Sequence, residues 1–281
     1  MAVAAALRGI DSHAHVMRRD APLAAQRHSA PERDVTVEEY LAVLDVHGVA
    51  FGVLTAPSFY GTDNSLLLAA LDSARGRLRG TAIVAPDIGR EALEAMAARG
   101  VIGVRLNWVR REHIPDVASP EYQRLFALLA ELNLHAEIFL EGPKLATVLP
   151  TIRASGVKVV VDHFGHPDPA RGVACKGFQQ ALAGVRAGDT WVKLSAPYRL
   201  GGVDAQRYVD ELLDAGGPRQ LVWASDWPFV SHEDDITYER CLAWLDEWIP
   251  DATTRDTVFA ESPGALFGFA GSNAIAQEMS R

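Results

Sequence analysis

Short apolar runs alternate along the chain with stretches whose apolar residues recur every three or four positions. The runs at 8–13, 50–56, 78–84, 101–107, 134–140, 157–163, 190–195 and 220–225 are rich in Val, Ile, Leu or Thr, and most are bounded by Gly, Pro or Asp. That composition and punctuation predict eight strands. Helical spacing predicts helices over 36–47, 64–74, 90–98, 119–132, 142–154, 205–215 and 238–248, with a weaker one over 174–185 and a last one over 253–259. Thr36 followed by Glu39 is a capping box, and Ser119-Pro120 places proline in the first helical turn. Gly48, Gly76, Gly100 and Gly156 stand just after periodic stretches, where helices stop.

Strand–helix alternation repeated eight times argues for a parallel sheet, and closure into a barrel is the simplest arrangement at this length. The fold expected is α/β: a distorted TIM-type (β/α)8 barrel, with residues 1–281 as a single domain. A doubly wound open sheet is the competitor. It usually carries a glycine-rich phosphate loop after its first strand, and here that position reads DSHAHVMRRD. The patternless stretch 17–35 would then be the first βα loop, a lid or substrate wall.

Composition narrows the function. The 281 residues are 48% hydrophobic with formal net charge −9. No apolar run reaches membrane-spanning length. Residues 1–7 are apolar but lack a basic flank, so they read as the lead-in to the first strand rather than a signal peptide. The two cysteines, Cys175 and Cys241, form no CxxC and fit reduced packing positions in a cytoplasmic protein. The acidic balance argues against nucleic acid or an anionic membrane as partner. A small anionic substrate would need a local basic pocket. Nothing in the pattern sets the oligomeric state.

The candidate chemistry lies at the strand ends. Alternation places Asp11, His13 and His15 on one face of the first strand. Two imidazoles so spaced can converge on one metal ion or one water, although the pair alone could equally be two unrelated surface histidines. Strand four ends in Arg105 and Asn107, strand six in His163 with His166 beyond, strand seven leads to Ser195 and Arg199, and strand eight ends in Asp226. Barrel enzymes build their active sites at these carboxyl ends, whereas chance would scatter such residues. Asp226, at the mouth of an apolar strand, suits a general base. Asp162 should face away from His163 and pair with a helix residue. His135 should pack at the barrel bottom, with Glu137 a weaker site candidate on the same face. His28, His47, His113 and His232 read as surface residues in loops or helices. Arg105 and Arg199 are expected to grip a substrate carboxylate, with a barrel-top salt bridge to Asp226 or Glu137 as the alternative for Arg105. Arg111 stands evenly between substrate contact and solvated loop.

The segments DSHAHV, GVRLNWVRR, VVVDHFGHPD, VKLSAPYRL and VWASDWP, with the loop PSFYGTDNSLLLAAL, resemble in order and spacing the 2-pyrone-4,6-dicarboxylate lactonase-like branch of the amidohydrolase superfamily. The resemblance runs from about Gly9 to about Phe269. It implies a hydrolase in which Asp226 activates water, His13, His15 and His163 surround that water and the reacting carbonyl, and Arg105, Arg111 and Arg199 hold carboxylates. Asn107, Ser58, Tyr60, His166 and Phe139 complete the implied substrate shell. Phe139 and Ser29 stand where the pattern has tyrosines, and His166 where it has arginine, so three polar contacts of the implied substrate shell are removed or altered. That branch needs no cofactor. A single weakly held zinc-like divalent ion on His13, His15 and Asp226 is the alternative. Strand four offers Arg105 rather than the bridging lysine of binuclear relatives.

The function expected is therefore opening of a small carboxylated lactone, of the pyrone-dicarboxylate or sugar-acid kind, by water attack on the ring carbonyl. The rivals are a lactone isomerase or metal-dependent decarboxylase on the same scaffold, and a catalytically silent binder of an acidic metabolite. A nuclease sharing the HxH barrel start is disfavoured by the acidic composition.

Overall fold

The computed structural model describes residues 8–269 apart from 26 and 28, so the lead-in segment 1–7 and His28 lie outside the described residues. Eight parallel strands form one sheet in sequential order: β1 (Ile10–Ala14), β2 (Phe51–Thr55), β3 (Leu78–Ala82), β4 (Val101–Asn107), β5 (His135–Phe139), β6 (Lys158–Val161), β7 (Thr190–Leu194) and β8 (Leu221–Trp223). The helices between them are α1 (Val37–Val46), α2 (Ser65–Ser73), α3 (Arg90–Ala98), α4 (Pro120–Glu131), α5 (Gly142–Ala154), α6 (Lys176–Ala187) and α7 (Gln206–Gly216). After β8 come α8 (Tyr238–Trp248), α9 (Ala252–Asp256), one π-helical turn (Thr257–Glu261) and α10 (Ser262–Phe267). The predicted last helix is thus the start of a longer, π-interrupted segment.

The local signals act as their chemistry requires. The Thr36 hydroxyl accepts from the Glu39 N–H and the Glu39 carboxylate accepts from the Thr36 N–H, giving α1 its capping box. Gly48, Gly76, Gly100 and Gly156 all take positive φ after their helices. Ile10, Phe51, Val53, Val160 and Val222 fill the lower barrel interior, with Phe267 and Phe269 against them. The larger apolar cluster lies between the strands and the surrounding helices. No helix among the described residues is long and apolar enough to cross a membrane.

The barrel is nearly closed, and its seam positions the site. No ladder joins β8 to β1. Just beyond the strand ends, the Asp226 N–H donates to the His13 carbonyl at 3.0 Å and the His15 N–H to the Trp227 carbonyl at 2.9 Å. Lower down, the Asp11 side chain bridges the gap. It accepts from the Ser225 N–H (2.9 Å) and hydroxyl (2.6 Å), and from the Tyr238 hydroxyl (3.1 Å). The alternation expected for β1 fails here. Its register against β2 slips between Asp11 and Ala14. That bulge lets Asp11 meet the outer layer while His13 enters the barrel.

Removing the clasp leaves buried donors without acceptors, a loss of about 1–3 kcal/mol for each unsatisfied group. Asp11→Ala should therefore cost about 3 kcal/mol or more, and Asp11→Asn, which keeps one carbonyl oxygen, distinctly less. Urea unfolding measures both. An Ala variant as stable as wild type would mean the seam is held by its backbone bonds alone.

Candidate active site

Every predicted catalytic residue reaches the carboxyl end of the barrel, by three different backbone routes. His13 and His15 come from the bulged end of β1. His163 does not arrive by strand alternation: it adopts φ +48°, so the chain turns sharply after β6 and swings the imidazole inward. Asp226 takes φ +64° just past β8. Left-handed backbone at non-glycine residues is uncommon and gathers at functional sites.

The side chains converge on one oxygen. Asp226 Oδ1 lies 3.6 Å from His13 Nε2, 3.9 Å from His15 Nε2 and 3.7 Å from His163 Nε2. The other oxygen, Oδ2, accepts from the Tyr198 hydroxyl at 2.8 Å and from Arg199 Nε at 3.0 Å. Burial alone would raise the Asp226 pKa. Arg199, with His163, His13 and His15, outweighs it and holds the carboxyl well below the usual carboxylate range. Burial, with His13 and Arg105 nearby, pushes His15 down to about 3. Burial likewise holds His163 well below the ordinary histidine value. At neutral pH the centre is thus an ionised carboxylate facing neutral imidazoles at His15 and His163.

Beneath this centre lies a buried network of opposite charges. Lys193 Nζ is 2.6 Å from Glu137 Oε2 and 3.0 Å from Asp162 Oδ1. Arg105 Nη2 donates to Asp162 Oδ2 at 3.1 Å, and its Nε is 3.4 Å from Glu137 Oε1. Asp162 therefore faces into the barrel, and the expected pairing with a helix residue is wrong. The left-handed turn lets neighbouring Asp162 and His163 both point inward. Of the two alternatives held for Arg105, the salt bridge to Glu137 is present, though Arg105 also borders the cavity. His135 is buried low in the barrel against Phe267, as expected.

A cavity of about 240 Å³ opens above Asp226. Its walls include His15, Ser58, Arg105, Asn107, Phe139, His163, His166 and Arg199, all predicted site residues, with Ser29 from the long first loop. The Phe139 ring meets His163 edge-on, with centroids 4.9 Å apart, and supplies an apolar wall. Two predicted contacts are not among the lining residues. Tyr60 is turned away, its hydroxyl accepting from the Arg18 N–H and donating to the Arg18 carbonyl, both at 2.7 Å. It anchors the first loop instead. Arg111 is exposed, and Arg110, with φ +61°, lines the cavity in its place. His232, expected on the surface, also borders the cavity and packs against Tyr198.

Lys193 and Tyr198 are the residues that sequence reasoning missed. Lys193 had a usable signal: a lysine within the apolar run TWVKL, two residues before Ser195. Tyr198 had none, because it sits in a short 3-10 turn outside any strand period. His13, His163 and Asp226 present ligand-type atoms within 4.8 Å of one another, as do His13, Glu137 and Asp162.

The family model described as Amidohydrolase matches residues 10–269. The chain is 27% identical over 279 residues to a 2-pyrone-4,6-dicarboxylate hydrolase of Comamonas testosteroni, covering 92% of this chain and 89% of that protein. It is 25% identical over 274 residues to a 4-sulfomuconolactone hydrolase of Hydrogenophaga intermedia, covering 92% and 88%. Among solved structures, it superposes with TM-score 0.88 and 32% identity on a probable 2-pyrone-4,6-dicarboxylic acid hydrolase of Acinetobacter baumannii with citric acid bound, covering 93% of this chain and all of that one.

Proposed function

The chain belongs to the Amidohydrolase family, and from that footing we propose that it is a lactonase that opens a small carboxylated lactone by water attack on the ring carbonyl. The observation that carries this reading is the convergence of three imidazoles on Asp226 Oδ1 at the floor of a cavity bordered by arginines. Relatives named for hydrolysis of a pyrone dicarboxylate and a sulfomuconolactone support the substrate class.

In this mechanism Asp226 takes a proton from water held beside the imidazoles. The hydroxide forms a bond to the lactone carbonyl carbon, and its π electrons move to oxygen. An imidazole N–H donates to that oxyanion, which is stabilised most by donors already in place. Collapse of the intermediate breaks the ring C–O bond, and the proton on Asp226 passes to the departing ring oxygen. Arg199 and Arg110 bind substrate carboxylate and fix the ring, while Phe139 packs against its apolar part.

One observation favours a second reading. The grouping of His13, His163 and Asp226 has the donor types of a zinc-like site, and such an ion would polarise the carbonyl. A panel of dicarboxylate and sugar-acid lactones, followed by proton release with and without prior dialysis against chelator, separates the readings. At least half the activity should survive dialysis. Complete loss restored by zinc would establish the second reading, and binding without turnover across the panel would make the protein a silent binder.

A further inference from the structure

Five nitrogens in the active site form a line whose ends have fixed hydrogen-bond roles. At one end, His15 Nδ1 lies 2.6 Å from the Thr55 carbonyl oxygen. A carbonyl only accepts, so this nitrogen carries a proton. The other ring nitrogen of His15, Nε2, faces His13. That Nε2 lies 3.3 Å from His13 Nε2. At the other end, Lys193 Nζ is 3.0 Å from His13 Nδ1. Lys193 also contacts Glu137 at 2.6 Å and Asp162 at 3.0 Å, two carboxylates that call for an ammonium. An ammonium donates and never accepts.

We propose that Lys193 is a positioning residue that holds the His13 imidazole with its proton on Nε2, so that His13 enters the site as a hydrogen-bond donor and not as a metal ligand. A protonated Nδ1 would set N–H against N–H across the 3.0 Å contact. The competing acceptor, Asp162 Oδ1, is farther from Nδ1 at 3.4 Å. The interior needs no further charge, because Lys193 and Arg105 face Glu137 and Asp162, two cations against two anions. His13 Nε2–H then faces His15 Nε2 at 3.3 Å, with Asp226 Oδ1 at 3.6 Å, and donates into the cluster in which the lactonase reading holds the attacking water. Metal ligation requires the reverse, a bare Nε2 with the proton on Nδ1. The donor set therefore resembles a zinc site in composition but does not fit one at His13.

This inference deepens the lactonase reading by giving His13 its role in it, and its test does not depend on finding the substrate. Histidine labelled with 15N reports directly which ring nitrogen is protonated, and a spectrum of His13→Gln identifies the His13 signals by their absence. The wild-type protein should show His13 protonated on Nε2 and bare on Nδ1 at neutral pH, unchanged by added zinc. Protonation on Nδ1 alone, protonation of both nitrogens, or displacement of the Nε2 proton by zinc would each overturn the proposal. The paired variant Lys193→Met with Glu137→Gln removes one cation and one anion together and keeps the interior balanced. In it the His13 proton should move to Nδ1, towards Asp162. A His13 still protonated on Nε2 would show that Lys193 does not hold it. Should the variant not fold, the wild-type spectrum still decides the tautomer.

Discussion

Asp226→Asn should lower kcat for lactone opening by about 100- to 10,000-fold, the range supplied by a positioned general base. The amide is nearly isosteric and still offers one oxygen to Tyr198 and Arg199, which now donate to Oδ2. Binding of a product-like dicarboxylate, measured by calorimetry, should change little, because the variant loses the proton acceptor and keeps the cavity. A variant retaining more than about a tenth of wild-type kcat would show that Asp226 is not the base, since general-base removal costs more than that. The pH profile adds a second check. Activity falls on the acid side as the base becomes protonated, and Asp226 is held well below the usual carboxylate range. The wild-type acid limb should lie below the ordinary aspartate value of about 3.9. His15 and His163, both depressed by burial, should add no inflection near the ordinary histidine value of about 6.5. Stability limits the accessible window, and its sign is definite. Below about 6.5 the unfolded chain binds protons on His15 and His163 that the folded protein refuses, so stability present above that pH is lost as pH falls. The profile is therefore read only where circular dichroism shows the native fold.

The fold was legible because its signals are local and repeated. All eight strands form where apolar runs occur, and α3, α5 and α8 keep the boundaries their periodicity predicts. What the pattern could not give is the facing of residues where the backbone leaves ideal geometry. At Asp11 a register slip takes a carboxylate expected to share a face with His13 and His15 and makes it the seam clasp. At Asp162 and His163 a left-handed turn cancels the alternation that would have separated them. Tyr60 is a failure of another kind. Its position near the mouth was readable, but the Arg18 backbone that engages its hydroxyl comes from a loop with no periodic signal. The charged interior also lay beyond a linear pattern. Lys193, Glu137, Asp162 and Arg105 come from four different strands or their ends, and each is tolerable when buried only because the others are there.

Arg199→Met should reduce kcat/KM for a carboxylated lactone by a factor of roughly 30 to several thousand, matching the 2–5 kcal/mol that follows removal of one partner of a desolvated charge pair. Arg199 is the informative arginine because it stands between the base and the cavity. Its Nε and Nη2 lie 3.0 and 2.9 Å from Asp226 Oδ2, Nη2 also donates to the Val230 carbonyl, and the residue lines the cavity wall. Arg105 is a poorer probe, since its guanidinium already serves Asp162 and Glu137 and its loss would disturb the barrel interior. Two consequences of Arg199→Met can be separated. The first concerns the base. Arg199 is the cation that most lowers the Asp226 pKa, so its loss should raise that pKa and move the acid limb of the pH profile upward for any substrate. The second concerns binding. In a chain of net charge −9 no long-range attraction draws in an anion, and capture depends on local guanidinium groups. At pH 8, well above the acid limb, a carboxylated lactone should therefore show the binding loss in full, whereas a neutral lactone of similar size should keep its KM and lose only what a less firmly oriented Asp226 costs. Arg110→Met supplies the comparison. Arg110 borders the same cavity but is exposed, so its loss should cost about tenfold or less, and only with the charged substrate. Arg90→Met, on an exposed helix start paired with Glu94 and Glu131, should be silent. The ratio of charged to neutral losses is the deciding quantity. Equal losses in Arg199→Met would confine that residue to orienting Asp226 and move the search for substrate to neutral sugar lactones.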